Sequence, residues 1–289
     1  MAIRATLDRS IILCGILGGA LSATGCFQER NHSLEVMNKG VELGRQKLYD
    51  SAIKELKSAV TIDPTNAAAY YNMGVLYKDQ KKWSDAAEAF TGALKYDNDN
   101  PALYYELGSV LLEDKKVASA KDAFEKALKL DPKLYKVHFR LGLALQSEEK
   151  WKEADAEYRK AIEANPRFLP AYIKLGDLYL DNDYDKEAAQ VFQNAILAND
   201  QDGEAHQGLA EAMQKQKQYE ESVKEFKKAV ELNPELFLAN YNIGHTYKLL
   251  GDKKNAKEWL QRFVQSYAGK AGPELTKAAN DEIYALDAP

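Results

Sequence analysis

Cysteine is almost absent from this chain of 289 residues, which has only Cys14 and Cys26. Everything after Cys26 therefore lacks a thiol, which excludes a disulfide framework and a thiolate metal site from the rest of the chain. Histidine is scarce as well, with four residues, His32, His138, His206 and His245. His245 has no second His or Cys at ligand spacing, so it reads as a contact residue and not as a metal ligand. There is no phosphate-binding loop, no nucleophile elbow and no dinucleotide fingerprint. The acidic runs Asp97–Asp99, Asp181–Asp183 and Glu220–Glu221 read as solvated turns and helix faces, not as converging acid and base groups. A net charge of −5 argues against nucleic acid as the main partner, because neutralising phosphates needs a concentrated basic face. These absences predict a protein that is not an enzyme, with no cofactor, no metal and no small-molecule substrate.

Long apolar runs are also missing, and the most continuous one spans residues 11–23. That is too short to cross roughly 30 Å of hydrocarbon as a helix. Preceded by Arg4 and Arg9, it has the form of the apolar part of a secretory signal. The residues that follow, Ala23-Thr24-Gly25-Cys26, resemble the lipobox of bacterial lipoproteins, with Ala23 where that pattern usually has Leu. The resemblance implies a signal peptide over 1–25, acylation of Cys26 and a lipid-anchored tether over 26–32. Several acyl chains on one residue hold a protein firmly, because each buried CH2 contributes about 0.8 kcal/mol. Phe27 after the cysteine implies, by the sorting rule of that class, the periplasmic face of the outer membrane. An ordinary cleaved signal beside a chance cysteine is the alternative.

What the rest of the chain has is self-similarity. Counting from Ser33 in steps of 34, position 8 of each unit is Gly40, Gly74, Gly108, Gly142, Gly176, Ala210 and Gly244. Position 20 is Ala52, Ala86, Ala120, Ala154, Ala188, Ser222 and Ala256, and position 24 is Leu56, Phe90, Phe124, Tyr158, Phe192, Phe226 and Leu260. The frame runs without insertion through 33–66, 67–100, 101–134, 135–168, 169–202, 203–236 and 237–270. Within each unit, apolar residues recur at helical spacing in two stretches separated by a polar turn. Small residues at positions 8 and 20 allow close approach, and the large residue at 24 is expected to fill the space between units. Asp63-Pro64, Asp131-Pro132, Asn165-Pro166 and Asn233-Pro234 end the second helices, because the residue before proline is pushed out of the helical region. Asp50 and Ser84 are the expected N-caps of second helices. His138 and His206 both fall at position 4, a packing position.

These positions resemble the tetratricopeptide repeat (TPR) signature. The resemblance implies an all-α fold, a right-handed α-solenoid of seven helix-turn-helix repeats. One unit cannot bury its own apolar face, so a single continuous stack is expected. Residues 271–289 read as a C-terminal capping helix and tail, entered through Gly272 and Pro273, with Phe263 facing it.

In the TPR family, first-helix positions 2, 5, 6, 9, 12 and 13 line a concave groove. At position 5 this chain has Met37, Tyr71, Tyr105, Phe139, Ile173 and Tyr241; at position 9, Val41, Val75 and Leu143; at position 12, Leu112 and Leu180. The lining turns acidic in repeats five and six, at Asp177, Asp181, Glu204 and Glu211. A contiguous apolar face of this kind marks a protein-partner site, and Tyr and Phe are common interface anchors. Closure of the superhelix, or a terminal segment lying in the groove, would also cover these residues. The carboxylate clamp of the chaperone-binding TPR subfamily is half present: Lys136 and Arg140 match, whereas Tyr71, Val75 and Glu106 stand where the clamp needs Lys and Asn. Asparagines that bond a peptide backbone survive at Asn38, Asn72 and Asn242. An amphipathic helix or folded protein is thus expected over an extended peptide. Anchor and repeats together resemble TPR lipoproteins that assemble outer-membrane machines, such as pilotins of type IV pilus secretins. The alternative is an adaptor recruiting periplasmic hydrolases or proteases.

Overall fold

The computed structural model describes the backbone of residues 21–287 and the side chains of residues 27–287. Residues 1–20 of the expected signal, and the side chain of Cys26, lie outside the described residues. Every regular element among the described residues is an α-helix. In chain order these are α1 (Leu21–Arg45), α2 (Tyr49–Ile62), α3 (Ala67–Asp79), α4 (Trp83–Leu94), α5 (Pro101–Glu113), α6 (Val117–Leu130) and α7 (Tyr135–Ser147). Then follow α8 (Trp151–Ala164), α9 (Leu169–Asp181), α10 (Asp185–Ala198), α11 (Gly203–Lys215), α12 (Tyr219–Leu232), α13 (Phe237–Leu249) and α14 (Lys253–Asp287). No helix among the described residues is long and apolar enough to cross a membrane.

The chain divides into two compact units, Met1–Val137 and His138–Pro289, where the repeat pattern predicts one undivided stack. A linear array holds together only through neighbours, so it has no central core to prevent such a division. In the first unit α1 packs on α2, α3 on α4 and α5 on α6, with α2 also meeting α3 and α4 meeting α5. In the second, α9 pairs with α10, α11 with α12 and α13 with α14. The pairs are packed as in TPR solenoids.

Inside each pair a missing side chain faces a large one. The ring of Phe90 lies where a Cβ on Gly74 would stand, and Phe124 and Tyr158 do the same to Gly108 and Gly142. All three rings are fully buried, as are Ala52, Ala86, Ala120 and Ala154 at position 20. The position-24 residue therefore fills the space inside its own repeat before it reaches the next one. Phe192 does both, touching Gly176 of its own pair and Gly208 of the following one.

Each first helix closes in the same way. Leu48 N–H donates to Leu43 O at 3.0 Å and Lys47 N–H to Gly44 O at 2.9 Å, with Lys47 at φ 60°. This is a Schellman motif, and it recurs at Lys81, Lys115, Glu149, Asp183, Lys217 and Gly251, of which only the last is glycine. The motif hands the chain directly to the second helix, whose N-cap residues, Leu48 and Lys82, make no side-chain cap. Asp50 and Ser84, the expected caps, are instead the second residues of α2 and α4.

Caps are found at first helices instead, where Asn66 Oδ1 accepts from Ala69 N–H at 3.0 Å and Asp202 Oδ1 from Ala205 N–H at 2.9 Å. Most second helices end in an extended residue whose side chain accepts the N–H two residues on, Asp63 from Thr65, Asp131 from Lys133 and Asn165 from Arg167, whereas α4 ends at Lys95 in the helical region. Asn199, which no proline follows, adopts the same geometry and accepts from Gln201. The side-chain hydrogen bond, and not proline alone, stops these helices.

Both ends depart from the repeat. Helix α1 begins at Leu21, so residues 27–32, read from sequence as a tether, are helical and continuous with the first repeat. They contain neither Gly nor Pro, and extending an existing helix costs little once it is nucleated. At the other end α14 is broken at Gly272 (φ 78°, ψ 167°), and the arm 273–287 folds back. Its Leu275, Ala279, Ile283 and Leu286 pack on Leu260 and Phe263.

Candidate functional site

The groove positions divide by chemistry when each unit is taken by itself. In the first unit Met37 and Val41 come from α1, Tyr71 and Val75 from α3, and Tyr105 and Leu112 from α5, all half-buried. Tyr71 leans on Phe90 with ring centroids 5.8 Å apart, and Tyr105 on Phe124 at 6.4 Å. These tyrosines therefore rest on the core with part of each ring left open. Burial, aided by the Glu106 carboxylate, pushes the Tyr71 phenol up from its ordinary value. Glu106 itself is engaged by Lys78, Nζ to carboxylate 2.7 Å. The place where the carboxylate clamp needs asparagine thus holds an ion pair. Lys136 is exposed, with its ammonium 6.0 Å from the centre of the Tyr135 ring.

In the second unit Phe139 sits edge-on to Phe168 at 5.2 Å, and Leu143 and Ile173 pack beside it on the core around Leu175. Arg140 is half-buried on the same helix, α7. Two residues expected to line the groove do not stand open to it. Leu180 is buried in the cluster of Ala188, Phe192, Leu209 and Ala212, where α9 packs against α10 and α11. Tyr241 is covered by the C-terminal arm: its phenol donates to Glu282 Oε1 at 2.7 Å and its ring lies on Phe263 at 5.5 Å. His245 (3.0 Å) and Lys248 (3.1 Å) reach the same carboxylate. The terminal segment lies across groove positions 5, 9 and 12 of repeat seven.

The histidines at position 4 are structural. His138 Nδ1 lies 2.7 Å from Glu157, and His206 Nδ1 lies 2.6 Å from Glu225; both are a position-4 to position-23 pair within one repeat. Among the described residues no group of three or more His, Cys, Asp or Glu side chains could hold a metal ion.

Two hollows were not legible as such in the sequence. One, of about 280 Å³, lies among Trp151, Tyr179, Tyr184, Asp155 and Glu187. Its rings already carry cations, Lys152 over Trp151 at 5.3 Å and Arg159 over Tyr179 at 5.9 Å. The other, of about 240 Å³, lies where the acidic residues of α9 and α11 meet the start of α13, with Leu236, Phe237 and Leu238 as its apolar side. The acidic members stood out in the sequence. Leu236 and Phe237 did not, because they occupy the junction between two repeats, outside the groove positions, whereas Leu238 falls at position 2 of repeat seven.

Profiles of the TPR family match the chain along most of its length. One described as a TPR repeat matches residues 45–81 and 215–251. Two described as tetratricopeptide repeats match 71–134 with 139–204, and 238–268. The chain belongs to the tetratricopeptide repeat family. Among solved structures it is similar to the MamA protein, at 26% identity and a TM-score of 0.55, covering 58% of this chain and 92% of that one. It is similar to YrrB, described as a TPR protein with an unusual peptide-binding site, at 24% identity and a TM-score of 0.56, covering 68% and 99%. It also shares its fold with PilF of Pseudomonas aeruginosa, at 17% identity and a TM-score of 0.62, covering 75% and 97%. No curated protein sequence matches the chain. The repeats make this chain a protein-interaction scaffold.

Proposed function

We propose that this scaffold is lipid-anchored through Cys26 at the periplasmic face of the bacterial outer membrane, where it binds a protein partner and assists assembly of a membrane complex such as a type IV pilus secretin. The observation that carries the binding half is the set of half-buried groove aromatics. Tyr71 and Tyr105 rest on the core yet keep part of each ring available, the state of an anchor waiting for a partner. The lipobox-like Ala23-Thr24-Gly25-Cys26 supports the anchor. With Cys26 acylated, the exposed helical residues 27–32 act as a stiff stalk of about 9 Å, at 1.5 Å per residue, between the lipid and the first repeat. The pairing of anchor and repeats, resembling the pilotin class, is what selects a secretin as the assembled complex.

The experiment joins both halves. Mass spectrometry of the membrane fraction should find a lipid adduct on Cys26 that vanishes in Cys26→Ala. A Tyr71→Ala, Tyr105→Ala, Phe139→Ala variant should keep its helical spectrum but lose the partner captured by the wild type. Loss of secretin multimers in a deletion strain supports the pilus reading, whereas altered cell shape or murein points to recruitment of periplasmic hydrolases or proteases. Undiminished capture by the triple variant would remove the groove from the function.

A further inference from the structure

The hollow between α9, α11 and the start of α13 has an apolar side and a polar side of one character. Ile173, Leu236, Phe237 and Leu238 form the apolar side, and Leu238 is 42% exposed although it is a large aliphatic residue. The polar side consists of Asp177, Glu204, Gln207, Glu211 and Glu235, with no cationic side chain among the lining residues. Two of the four carboxylates are neutralised from outside the hollow, Asp177 by Lys174 at 2.9 Å and Glu235 by Lys270. The other two are not. Glu204 is exposed and makes no ion pair among the described residues. Glu211 accepts only amide hydrogens, from Gln207 Nε2 at 2.9 Å and Asn242 Nδ2 at 3.4 Å.

The hydrogen-bond inventory is also one-sided. Gln207 uses its amide N–H on Glu211, which leaves its Oε1 buried without a partner. The nearest lysine on the same helix, Lys215, turns away and donates to Leu180 O at 2.7 Å and Asp183 at 3.1 Å. The hollow thus has side-chain acceptors to spare and no free side-chain donor. Burial, with Asp177 adding to it, holds the Glu211 carboxyl above its ordinary value. A charge in that position has no cation in contact with it, and Lys215 opposes the shift only from a distance.

We infer that this hollow takes a basic amphipathic helix of the partner protein, with a lysine or arginine directed at Glu204 and Glu211 and a neighbouring apolar side chain against Phe237 and Leu238. Charge complementarity selects this occupant. Phosphate-bearing ligands and anionic lipid surfaces are repelled by Glu204 and Glu211, and a purely apolar helix would leave the half-buried Glu211 without a cation. The orientation follows from the helices. The N-terminal dipole of α13 disfavours a cation beside Phe237 and Leu238, so the apolar side chain belongs there and the charge belongs beside α11. The inference rests on the proposal that the concave face binds protein, and it moves the charge-selective part of that contact to repeats five to seven, away from the apolar lining of the first repeats.

The probe is a labelled synthetic helix with leucine and lysine on opposite faces, titrated with the full-length chain and read by fluorescence anisotropy. Two control helices carry glutamate for lysine, or serine for leucine. The leucine–lysine helix should bind, weaken as salt is raised, and lose about tenfold in affinity with Glu204→Gln plus Glu211→Gln. Because Glu211 is half-buried, Glu204→Gln and Leu238→Ser are measured separately, each expected to weaken binding several-fold with an unchanged melting curve. Glu220→Gln, on the exposed face of α12, should change nothing. Binding that is indifferent to the Glu204 and Glu211 variants, or equal for any control helix, overturns the inference. If Tyr71→Ala with Tyr105→Ala abolishes partner capture while the acidic variants leave both capture and peptide binding intact, the groove reading stands and this inference falls. If neither set affects capture, the groove reading itself falls.

Discussion

Glu282 accepts a hydrogen bond from Tyr241 across 2.7 Å, and this contact ties the C-terminal arm to the first helix of repeat seven. Burial, the largest single influence on Glu282, pushes its carboxyl up, but hydrogen bonds from His245, Tyr241 and Lys248 outweigh it and hold the group down at about 2. A carboxyl lower in the folded than in the unfolded chain stabilises the fold above the unfolded value and ceases to do so as pH falls through the folded one. Docking of the arm should therefore be intact above pH 4.5 and lost progressively between there and about 2. Amide hydrogen exchange across 273–287 at falling pH checks this, with Glu282→Gln as reference. The variant should already exchange faster at neutral pH and show a flatter dependence on acid.

Phe192 and Gly208 show how little room the junctions leave. A Cβ on Gly208 would lie 2.2–2.6 Å from three ring atoms of Phe192, itself fully buried. Gly208→Ala should destabilise the chain by about 1–3 kcal/mol through overpacking, and Phe192→Leu in the same chain should recover part of that loss. Gly269 supplies the contrast, because a Cβ there meets nothing within 4 Å. In that open helical position Gly269→Ala should stabilise by about 0.5–1 kcal/mol. Urea titrations of the two variants should move in opposite directions.

The packing frame was readable in the sequence because it depends on residue size at fixed spacing. Gly74 facing Phe90 and Gly108 facing Phe124 leave no alternative pairing, and the first helices begin at Ala67, Pro101, Leu169, Gly203 and Phe237 as that spacing requires. The turns were not readable, since a left-handed residue at Lys81 or Glu149 carries no compositional mark. The expected caps at Asp50 and Ser84 failed for that reason: the turn geometry had already fixed where each helix begins. At the groove, helical spacing put Leu180 and Tyr241 on the lining. Leu180 is buried by the packing of α9 against α10 and α11, and Tyr241 is covered by the arm beyond the break at Gly272; neither is encoded in a first-helix pattern.

Ser33 and Asn66, the first and last residues of repeat one, are joined through buried polar groups, and Asn66 also caps the first helix of repeat two. Asn66 Nδ2 donates to Ser33 Oγ at 2.9 Å, and Ser33 Oγ donates to Ala59 O at 2.8 Å, with Ser33 fully buried. Removing the hydroxyl leaves the Asn66 amide without its acceptor in a dry site. Ser33→Ala should cost about 1–3 kcal/mol, read as a lowered urea midpoint. A double-mutant cycle with Asn66→Ala should be strongly non-additive, because either change alone breaks the same link.

Gly251 occupies in repeat seven the turn position that Lys47, Lys81, Lys115, Glu149, Asp183 and Lys217 occupy elsewhere, all at positive φ. A Cβ at Gly251 would meet no neighbour within 4 Å, so any penalty for adding one is conformational and not steric. Gly251→Ala should cost about 1 kcal/mol, the ordinary penalty for an L-residue in the left-handed region. Lys81→Gly should return a fraction of that amount, because the gain in the folded turn is partly offset by the greater freedom glycine gives the unfolded chain. Both effects should appear in urea midpoints with unchanged slopes, since neither substitution alters the surface buried on folding. A Gly251→Ala variant as stable as the wild type would show that the Schellman hydrogen bonds hold this turn without help from glycine. The six non-glycine turns would then be unstrained, and Lys81→Gly should destabilise.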